Sequence, residues 1–196
     1  AFASSGALIG IRKNMDIFGI NVLGITTALG GGLIRDLVLG INPPNMFRNS
    51  VYVIAAVLTS CVLFLIVRLK QELLGSRFME LYERLMNVMD AIGLGAFTVI
   101  GINTALKVGY ESTFLLLFVG LITGIGGGML RDIMAGTTPF VFVKHVYACA
   151  SIAGAVVCLA LRTVWTMSMA MIAGAVVVII IRILATRYRW NLPKVQ

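Results

Sequence analysis

The sequence predicts an all-α integral membrane protein with seven transmembrane helices, arranged as two inverted three-helix repeats plus a seventh helix. Three observations predict this fold class. Hydrophobic residues make up 59% of the 196 residues and charged residues only 12%, about half of the roughly 25% that is usual in soluble domains. The apolar residues are collected in long stretches, and a seven-residue motif occurs twice. A soluble protein of this composition would lack the polar residues to cover its surface, whereas lipid requires no such cover.

Seven apolar stretches are candidate membrane spans, because a helix needs about 20 mostly apolar residues to cross a bilayer. They cover residues 1–12, 16–40, 50–69, 88–107, 112–136, 144–162 and 167–186. The first stretch is short, so we expect that the start of its helix is missing from the sequence. We expect a single membrane domain over residues 1–196, made of a first three-helix repeat (1–70), a linker (71–86), a second inverted repeat (87–163), and a seventh helix with a basic C-terminal tail (164–196).

The connection at about 70–86 differs from the others, which are short. It contains charged residues such as Glu72, Arg77 and Glu80, with leucines between them. This mixture predicts an amphipathic helix at the membrane interface. A solvated loop is the alternative.

The basic residues predict the orientation in the membrane. With seven spans, eleven Lys and Arg side chains fall on one side and three on the other. Since cytoplasmic loops carry an excess of basic residues, we expect the C-terminus in the cytoplasm and the N-terminus outside. The net charge of +8 comes mainly from these flanking positions. That placement favours anionic lipid headgroups over nucleic acid as the partner of the charge.

An internal repeat relates the two halves of the chain. Residues 30–36, GGGLIRD, return as residues 126–132, GGGMLRD, and Gly40 and Gly136 follow the two copies at the same spacing. Each half holds three predicted spans, an odd number, so the second half enters the membrane from the opposite side. Inverted repeats of this kind are typical of many transporters and some channels, whose pathway lies at the repeat interface.

Each copy of the motif begins with three glycines, and a glycine inside a helix costs up to about 1 kcal/mol relative to alanine. One explanation is a broken or kinked helix, whose freed carbonyls line a wet pathway. The other is close packing between helices. Because the triplets are symmetric and each precedes an ionic pair, we expect a break that lines the pathway. Its residues are Gly30, Gly31, Gly32, Gly126, Gly127 and Gly128.

Arg35, Asp36, Arg131 and Asp132 are ionisable residues within predicted spans, where such groups are costly and usually face the bundle interior or water. Adjacent residues are about 100° apart on a helix, which disfavours pairing within one motif. We therefore expect pairing between the repeats, Arg35 with Asp132 and Arg131 with Asp36, or contacts with freed backbone carbonyls. The pairs could line the pathway, lock the two halves together, or lie at the membrane surface.

Threonine hydroxyls are further candidates for the pathway, since hydroxyl and carbonyl oxygens suit monovalent cations that shed water. Thr27 and Thr123, three residues before the triplets, are the best placed. Taken singly, each is more typical of helix packing. Asp16 and Asp90 lie at predicted helix starts, where a carboxylate suits the helix N-terminus.

Enzyme and metal-site motifs are absent from the sequence. GxSxG, HExxH and GxxxxGK[ST] do not occur, and the three cysteines and one histidine show no metal-ligand spacing. We therefore expect no catalytic residues, no metal and no cofactor. Monovalent cations would be permeant ions.

The segments FASSGAL, TALGGGLIRDLVLG, MDAIGLGAFTVIG and ITGIGGGMLRDIMAG closely resemble the prokaryotic branch of the trimeric intracellular cation (TRIC) channels. The resemblance covers nearly the whole chain. It implies a symmetric homotrimer with a separate hourglass pore in each protomer, permeation of K⁺ with some Na⁺, and lipids bound near the protomer interfaces. It also implies that the two triplets kink the helices around the pore, and that the protein lies in a prokaryotic plasma membrane. The phosphoinositide-binding motif of animal members is not recognisable here.

Two functions therefore compete. The first is a passive channel for monovalent cations. The second is a secondary transporter or permease for a small solute such as a small neutral amino acid, because paired Arg and Asp residues suit the two charges of a zwitterion. A structural protein without conduction would leave the charges within the spans unexplained.

Overall fold

The computed structural model describes residues 1–69, 76–143, 146–188 and 190, with the backbone alone for residues 76–83. Within these residues every regular element is an α-helix. The helices are α1 (Phe2–Arg12), α2 (Ile17–Val38), α3 (Asn45–Arg48), α4 (Val51–Leu69), α5 (Ser76–Val108), α6 (Thr113–Met134), α7 (Phe140–Val143), α8 (Tyr147–Leu161) and α9 (Met167–Arg187).

Five of the described helices are long and apolar enough to cross a membrane: α2, α4, the part of α5 from Arg84 to Val108, α6 and α9. A helix rises about 1.5 Å per residue, so the 22 residues of α2 and of α6 span about 33 Å. The chain is therefore a multi-pass membrane protein. At the positions of the first and sixth predicted spans, α1 and α8 are shorter, with 11 and 15 residues.

The predicted linker helix is not a separate element where the structure describes it. From Ser76 onward this segment is the beginning of α5, which continues without interruption to Val108. The remaining linker residues, 70–75, lie outside the described residues. The described part of the linker and the fourth predicted span therefore form one helix of 33 residues.

The two predicted helix-start carboxylates have different roles. Asp16 is the N-cap of α2, and its carboxylate accepts a hydrogen bond of 2.7 Å from the Gly19 amide, as an N-cap residue should. Asp90 lies well inside α5, so the prediction that it begins a helix was wrong. The helix extends further toward its N-terminus than the apolar stretch that was used to place its start.

The helices pack in two groups that meet where α2 crosses α6. Helices α1 and α4 pack against α2, α5 and α8 pack against α6, and α9 packs on α5 and α8. Burial agrees with this arrangement: 44% of the most apolar 18-residue stretch of α6 is buried, but only 11% of that of α4. Thus α6 is a central helix and α4 is peripheral.

Small residues let the outer helices approach closely. A Cβ atom on Gly95 of α5 would lie 2.7 Å from the Ala175 carbonyl oxygen of α9, and Gly154 of α8 lies against the Gly174 backbone of α9. Close backbone contact is a main source of stability between helices in lipid, where apolar burial drives little association. These glycines therefore explain how α9 is held against the second group.

The outward faces of the helices are apolar. Large hydrophobic side chains are exposed along α4, including Val51, Ile54, Leu58, Val62, Leu65 and Leu69. Such a continuous face would promote aggregation in water. In a bilayer it is the surface that contacts lipid or another membrane helix.

Candidate functional site: the glycine crossing and its two cavities

The two glycine triplets form the crossing between α2 and α6. A Cβ atom on Gly31 would overlap the Thr123 carbonyl oxygen, and one on Gly127 would overlap the Thr27 carbonyl oxygen. Residue numbers therefore increase in opposite directions along the contact, and the helices pack antiparallel. Only glycine fits at these two positions with the backbones this close.

The helices are not broken at the triplets. Both α2 and α6 are continuously helical through residues 30–32 and 126–128, so the predicted break that frees backbone carbonyls was wrong, whereas a kink within a continuous helix stays a prediction. The alternative explanation, close packing, accounts for the middle glycine of each triplet. Because glycine has no side chain, the two helices can approach closely at these positions, and this packing breaks no backbone hydrogen bond.

Thr27 and Thr123 lie at the same crossing in equivalent environments. Each is buried, and each hydroxyl donates a 2.6 Å hydrogen bond to the carbonyl four residues earlier, at Leu23 and Val119. The hydroxyls contact Gly6 of α1 and Gly101 of α5, respectively. These bonds satisfy the hydroxyl protons within the helix.

A cavity lies on each side of the crossing. Cavity 1, of about 730 Å³, reaches the C-terminal end of α2 and includes Gly31, Gly32, Leu33, Arg35 and Asp36 in its lining, together with Thr27, Thr123, Gly127 and Gly128. Cavity 2, of about 580 Å³, reaches the C-terminal end of α6 and includes Gly128, Met129, Arg131 and Asp132. Because α2 and α6 are antiparallel, the cavities extend toward opposite ends of the helix pair. Gly128 borders both, whereas Gly30 and Gly126 border neither.

The ionic pairs form within each motif, so the predicted pairing between repeats was wrong. The Arg35 guanidinium lies 2.8 Å from the Asp36 carboxylate, and Arg131 Nε lies 2.8 Å from that of Asp132. An arginine side chain is long enough to reach a neighbour although the two Cβ atoms diverge. The antiparallel crossing also sends Arg35 and Asp132 toward opposite ends of the helix pair.

The two carboxylates also fix the chain that follows each helix. Asp36 accepts a 2.7 Å hydrogen bond from the Asn45 amide at the start of α3, and Asp132 accepts one of 2.8 Å from the Phe140 amide at the start of α7. Gly40 and Gly136, with φ of 69° and 66°, end α2 and α6. Around them the Ile41 and Thr137 amides bond to the carbonyls of Asp36 and Asp132, a Schellman motif that requires a left-handed residue.

One contact distinguishes the two cavities. The Arg131 guanidinium donates a 2.8 Å hydrogen bond to the Ser5 hydroxyl of α1, which connects α6 to α1 across cavity 2. Gly6 contacts Thr27 as Gly101 contacts Thr123, so the residue equivalent to Ser5, one position before Gly6, is Ile100, and Ile100 lines cavity 1 as Arg35 does. The equivalent hydroxyl is therefore missing on that side.

Sequence reasoning missed a polar cluster between α5, α8 and α9. The Tyr147 hydroxyl donates a 2.9 Å hydrogen bond to Asp90, and Arg182 Nη2 lies 3.4 Å from the same carboxylate. The Arg182 guanidinium also lies 4.3 Å from the centre of the Tyr147 ring, a cation–π contact. The sequence signal for this cluster is Arg182 itself, a charged residue inside the apolar stretch 167–186.

A second buried contact connects α5 to α8, where the Thr98 and Ser151 hydroxyls lie 2.7 Å apart. Among the residues that the structure describes, no three His, Cys, Asp or Glu side chains come together in a way that could hold a metal ion. The chemistry of the site is therefore that of hydroxyls, backbone carbonyls and local ion pairs around two cavities.

Comparison with known proteins identifies relatives over the whole chain. The sequence profile of the family described as Glycine transporter matches residues 1–68 and 87–163. A UPF0126 membrane protein of Deinococcus radiodurans is 36% identical over 98% of this chain and 86% of its own length. The UPF0126 inner membrane protein YadS of Escherichia coli is 34% identical over 98% and 89%.

Solved structures share the fold. A structure of a TRIC cation channel superposes with a TM-score of 0.86 at 35% identity, covering 100% of this chain and 92% of the other. The TRIC trimeric intracellular cation channel orthologue from Rhodobacter sphaeroides gives a TM-score of 0.84 at 31% identity, with 95% and 92% covered. The resemblance to TRIC channels seen in the motifs is thereby confirmed, and the chain has the TRIC channel fold.

Proposed function

This chain belongs to the family described as Glycine transporter, and because it shares the fold of TRIC cation channels we propose that it is a potassium-permeable channel for monovalent cations. Its relatives by structure are cation channels and not enzymes, and the proposal includes no catalytic activity. The permeant ions are the only small-molecule ligands it requires, with no resident cofactor.

The observation that carries the proposal is the pair of cavities that extend in opposite directions from the glycine crossing. Each is lined by an Arg–Asp pair, and Gly128 at the crossing borders both. A pathway through one protomer would be narrowest there, next to Gly31, Gly127, Thr27 and Thr123. The triplets would then serve both as the packing contact and as the place where a small change of helix angle opens the pathway.

We propose that the fold consists of two inverted three-helix repeats, α1–α2–α4 and α5–α6–α8, plus α9, with seven spans in total. The equivalent contacts of Gly31 and Gly127 and the equivalent helix ends at Gly40 and Gly136 support this arrangement. The family profile also covers two separate segments that correspond to the two groups of helices, and it leaves out α9.

The assembly would be a homotrimer with one pore in each protomer and lipid between the protomers. A solved relative is described as trimeric, and exposed apolar faces such as that of α4 are available for such contacts. We place the protein in a prokaryotic plasma membrane with its N-terminus outside and its C-terminus in the cytoplasm. Ala1 and Ala3 line cavity 1 and Arg12 lines cavity 2, so cavity 1 would open outward and cavity 2 inward.

A second candidate is a permease for a small neutral amino acid. The family description, Glycine transporter, favours it, and so do the Arg and Asp side chains that line each cavity, since they match the two charges of a zwitterion. Channel and permease differ in rate and coupling. The ion flux through an open channel does not saturate at low ion concentration, whereas the uptake rate of a permease does saturate as the solute concentration rises.

The test is electrical recording from purified protein in a planar bilayer with asymmetric KCl, paired with uptake of labelled glycine into liposomes. Discrete current steps that reverse near the K⁺ equilibrium potential are expected. An electrically silent bilayer together with saturable glycine uptake would replace the channel proposal by the permease.

A further inference from the structure

Three carboxylates line the two cavities within the described residues, and two of them are fully engaged. Asp36 bonds to Arg35 and to the backbone and side chain of Asn45, and only 1% of its side chain is exposed. Asp132 bonds to Arg131 and the Phe140 amide, and 6% of its side chain is exposed. These two groups hold the chain together at the helix ends and present little charge to the cavities.

Asp90 is the third carboxylate, and it is more open. Its side chain is 29% exposed, and it borders cavity 2. The Arg182 side chain is only 2% exposed, and its Nη2 lies 3.4 Å from the Asp90 carboxylate. This distance is longer than the roughly 2.7–2.9 Å of a strong charge-assisted hydrogen bond. Arg182 does not line cavity 2, whereas Asp90 and Tyr147 do. The carboxylate therefore faces the cavity, and its countercharge lies behind it.

The charges around cavity 2 give Asp90 its importance. The described lining contains Arg12 and Arg131 as cations and Asp90 and Asp132 as anions, and Arg182 lies against Asp90 without lining the cavity. Removing the Asp90 carboxylate would make this end of the pathway more positive by one unit charge, which would disfavour cations there. Tyr147 fixes one oxygen of Asp90 through its hydroxyl, and Arg182 approaches the other.

We propose that Asp90 is the residue that makes cavity 2 favourable to cations, that Tyr147 is a positioning residue that holds its carboxylate at the cavity, and that Arg182 is the buried countercharge that partly offsets it. The ligand is a hydrated monovalent cation. This inference rests on the proposed channel function and adds the side chain that determines charge selectivity at one end of the pathway. Helix α9, which lies outside the repeat, would thereby act on the pathway through a single arginine.

The experiment compares Asp90→Asn, Arg182→Gln and, as a control, Glu111→Gln in bilayer recordings. Glu111 is exposed between α5 and α6 and lines neither cavity, and its change removes the same charge as Asp90→Asn. A unit charge at about 8 Å in water changes a local cation concentration by about twofold. We expect Asp90→Asn to lower the K⁺ conductance by about twofold at about 0.01 M KCl, and far less at about 1 M, where the Debye length is only about 3 Å.

The sign of the Arg182→Gln effect separates electrostatics from a purely structural role. Removing the countercharge leaves Asp90 uncompensated, so the low-salt conductance and the K⁺ over Cl⁻ permeability ratio should rise, while both fall in Asp90→Asn. Damage to the fold would lower the conductance of both variants. Arg182→Lys should restore values near the wild type.

Equal values in Asp90→Asn and the wild type, or a decrease in both variants, would overturn the inference. If Asp90→Asn does not assemble, the direction of the change in Arg182→Gln decides alone. A wild-type protein that carries no K⁺ current would instead contradict the proposed function. The two failures are therefore distinguishable.

Discussion

The packing of α2 against α6 makes adjacent glycines of one triplet respond differently to the same substitution. In Gly31→Ala the new methyl group would overlap the Thr123 carbonyl oxygen, so the two backbones must separate. In Gly32→Ala the nearest atom that the methyl group meets is Arg35 Nη2, at 3.7 Å, an ordinary van der Waals contact. Gly127 and Gly128 repeat this contrast on α6, where the Gly128 methyl group would lie 3.8 Å from Arg131 Nη2.

The expected difference follows from two opposing effects. Alanine is favoured over glycine in a helix interior by about 1 kcal/mol, and this gain applies equally to both positions. Overpacking of a tight contact costs about 1–3 kcal/mol, and this cost applies to Gly31 alone. The free energy of unfolding of Gly31→Ala should therefore be about 1–3 kcal/mol below that of Gly32→Ala.

The assay is thermal unfolding of the four purified variants in the same detergent, followed by tryptophan fluorescence. In a chain of this length 1 kcal/mol corresponds to about 2–4 °C in Tm. We expect Gly31→Ala and Gly127→Ala to melt several degrees below Gly32→Ala and Gly128→Ala. Equal melting temperatures within each triplet would refute the assignment of Gly31 and Gly127 to the helix contact.

Three further outcomes are expected. Asp36→Asn should lower the free energy of unfolding by about 2 kcal/mol, because Arg35 loses its charged partner, and hydrogen exchange at the Asn45 amide should accelerate; unchanged exchange there would argue against the cap on α3. Gly136→Ala should lower it by about 1–2 kcal/mol, because alanine is strained at φ of 66°, and a neutral result would contradict the Schellman ending. A double-mutant cycle of Thr98→Val with Ser151→Ala should give a coupling of about 1 kcal/mol in thermal or denaturant unfolding, and additivity would refute the hydrogen bond.

The sequence was informative where a physical requirement acts on a long segment. A bilayer requires about 20 apolar residues for each span, and each of the seven predicted stretches corresponds to a helix within the described residues. The repeat also placed Gly40 and Gly136 at equivalent positions, and both end a helix in the same left-handed geometry.

The contacts between side chains were harder to predict. A triplet of glycines is compatible with a break and with close packing, and only the position of the facing helix distinguishes them. The angle between neighbouring residues on a helix disfavours pairing of Arg35 with Asp36, but the arginine side chain is long enough to overcome that angle. Asp90 and Arg182 are 92 residues apart in the chain, and neither position alone reveals that they meet.

The claim that ions pass through each protomer at the glycine crossing is tested most directly by cysteine accessibility during current recording. In a background without Cys61, Cys149 and Cys158, one cysteine is introduced at Leu33, which lines cavity 1, or at Met129, which lines cavity 2. A membrane-impermeant, positively charged thiol reagent is then applied to one side of the bilayer at a time. We predict that the K⁺ current of Leu33→Cys falls only with the reagent outside and that of Met129→Cys only with the reagent inside. Currents that are unaffected in both variants, or that respond from the same side, would contradict a pathway through the crossing.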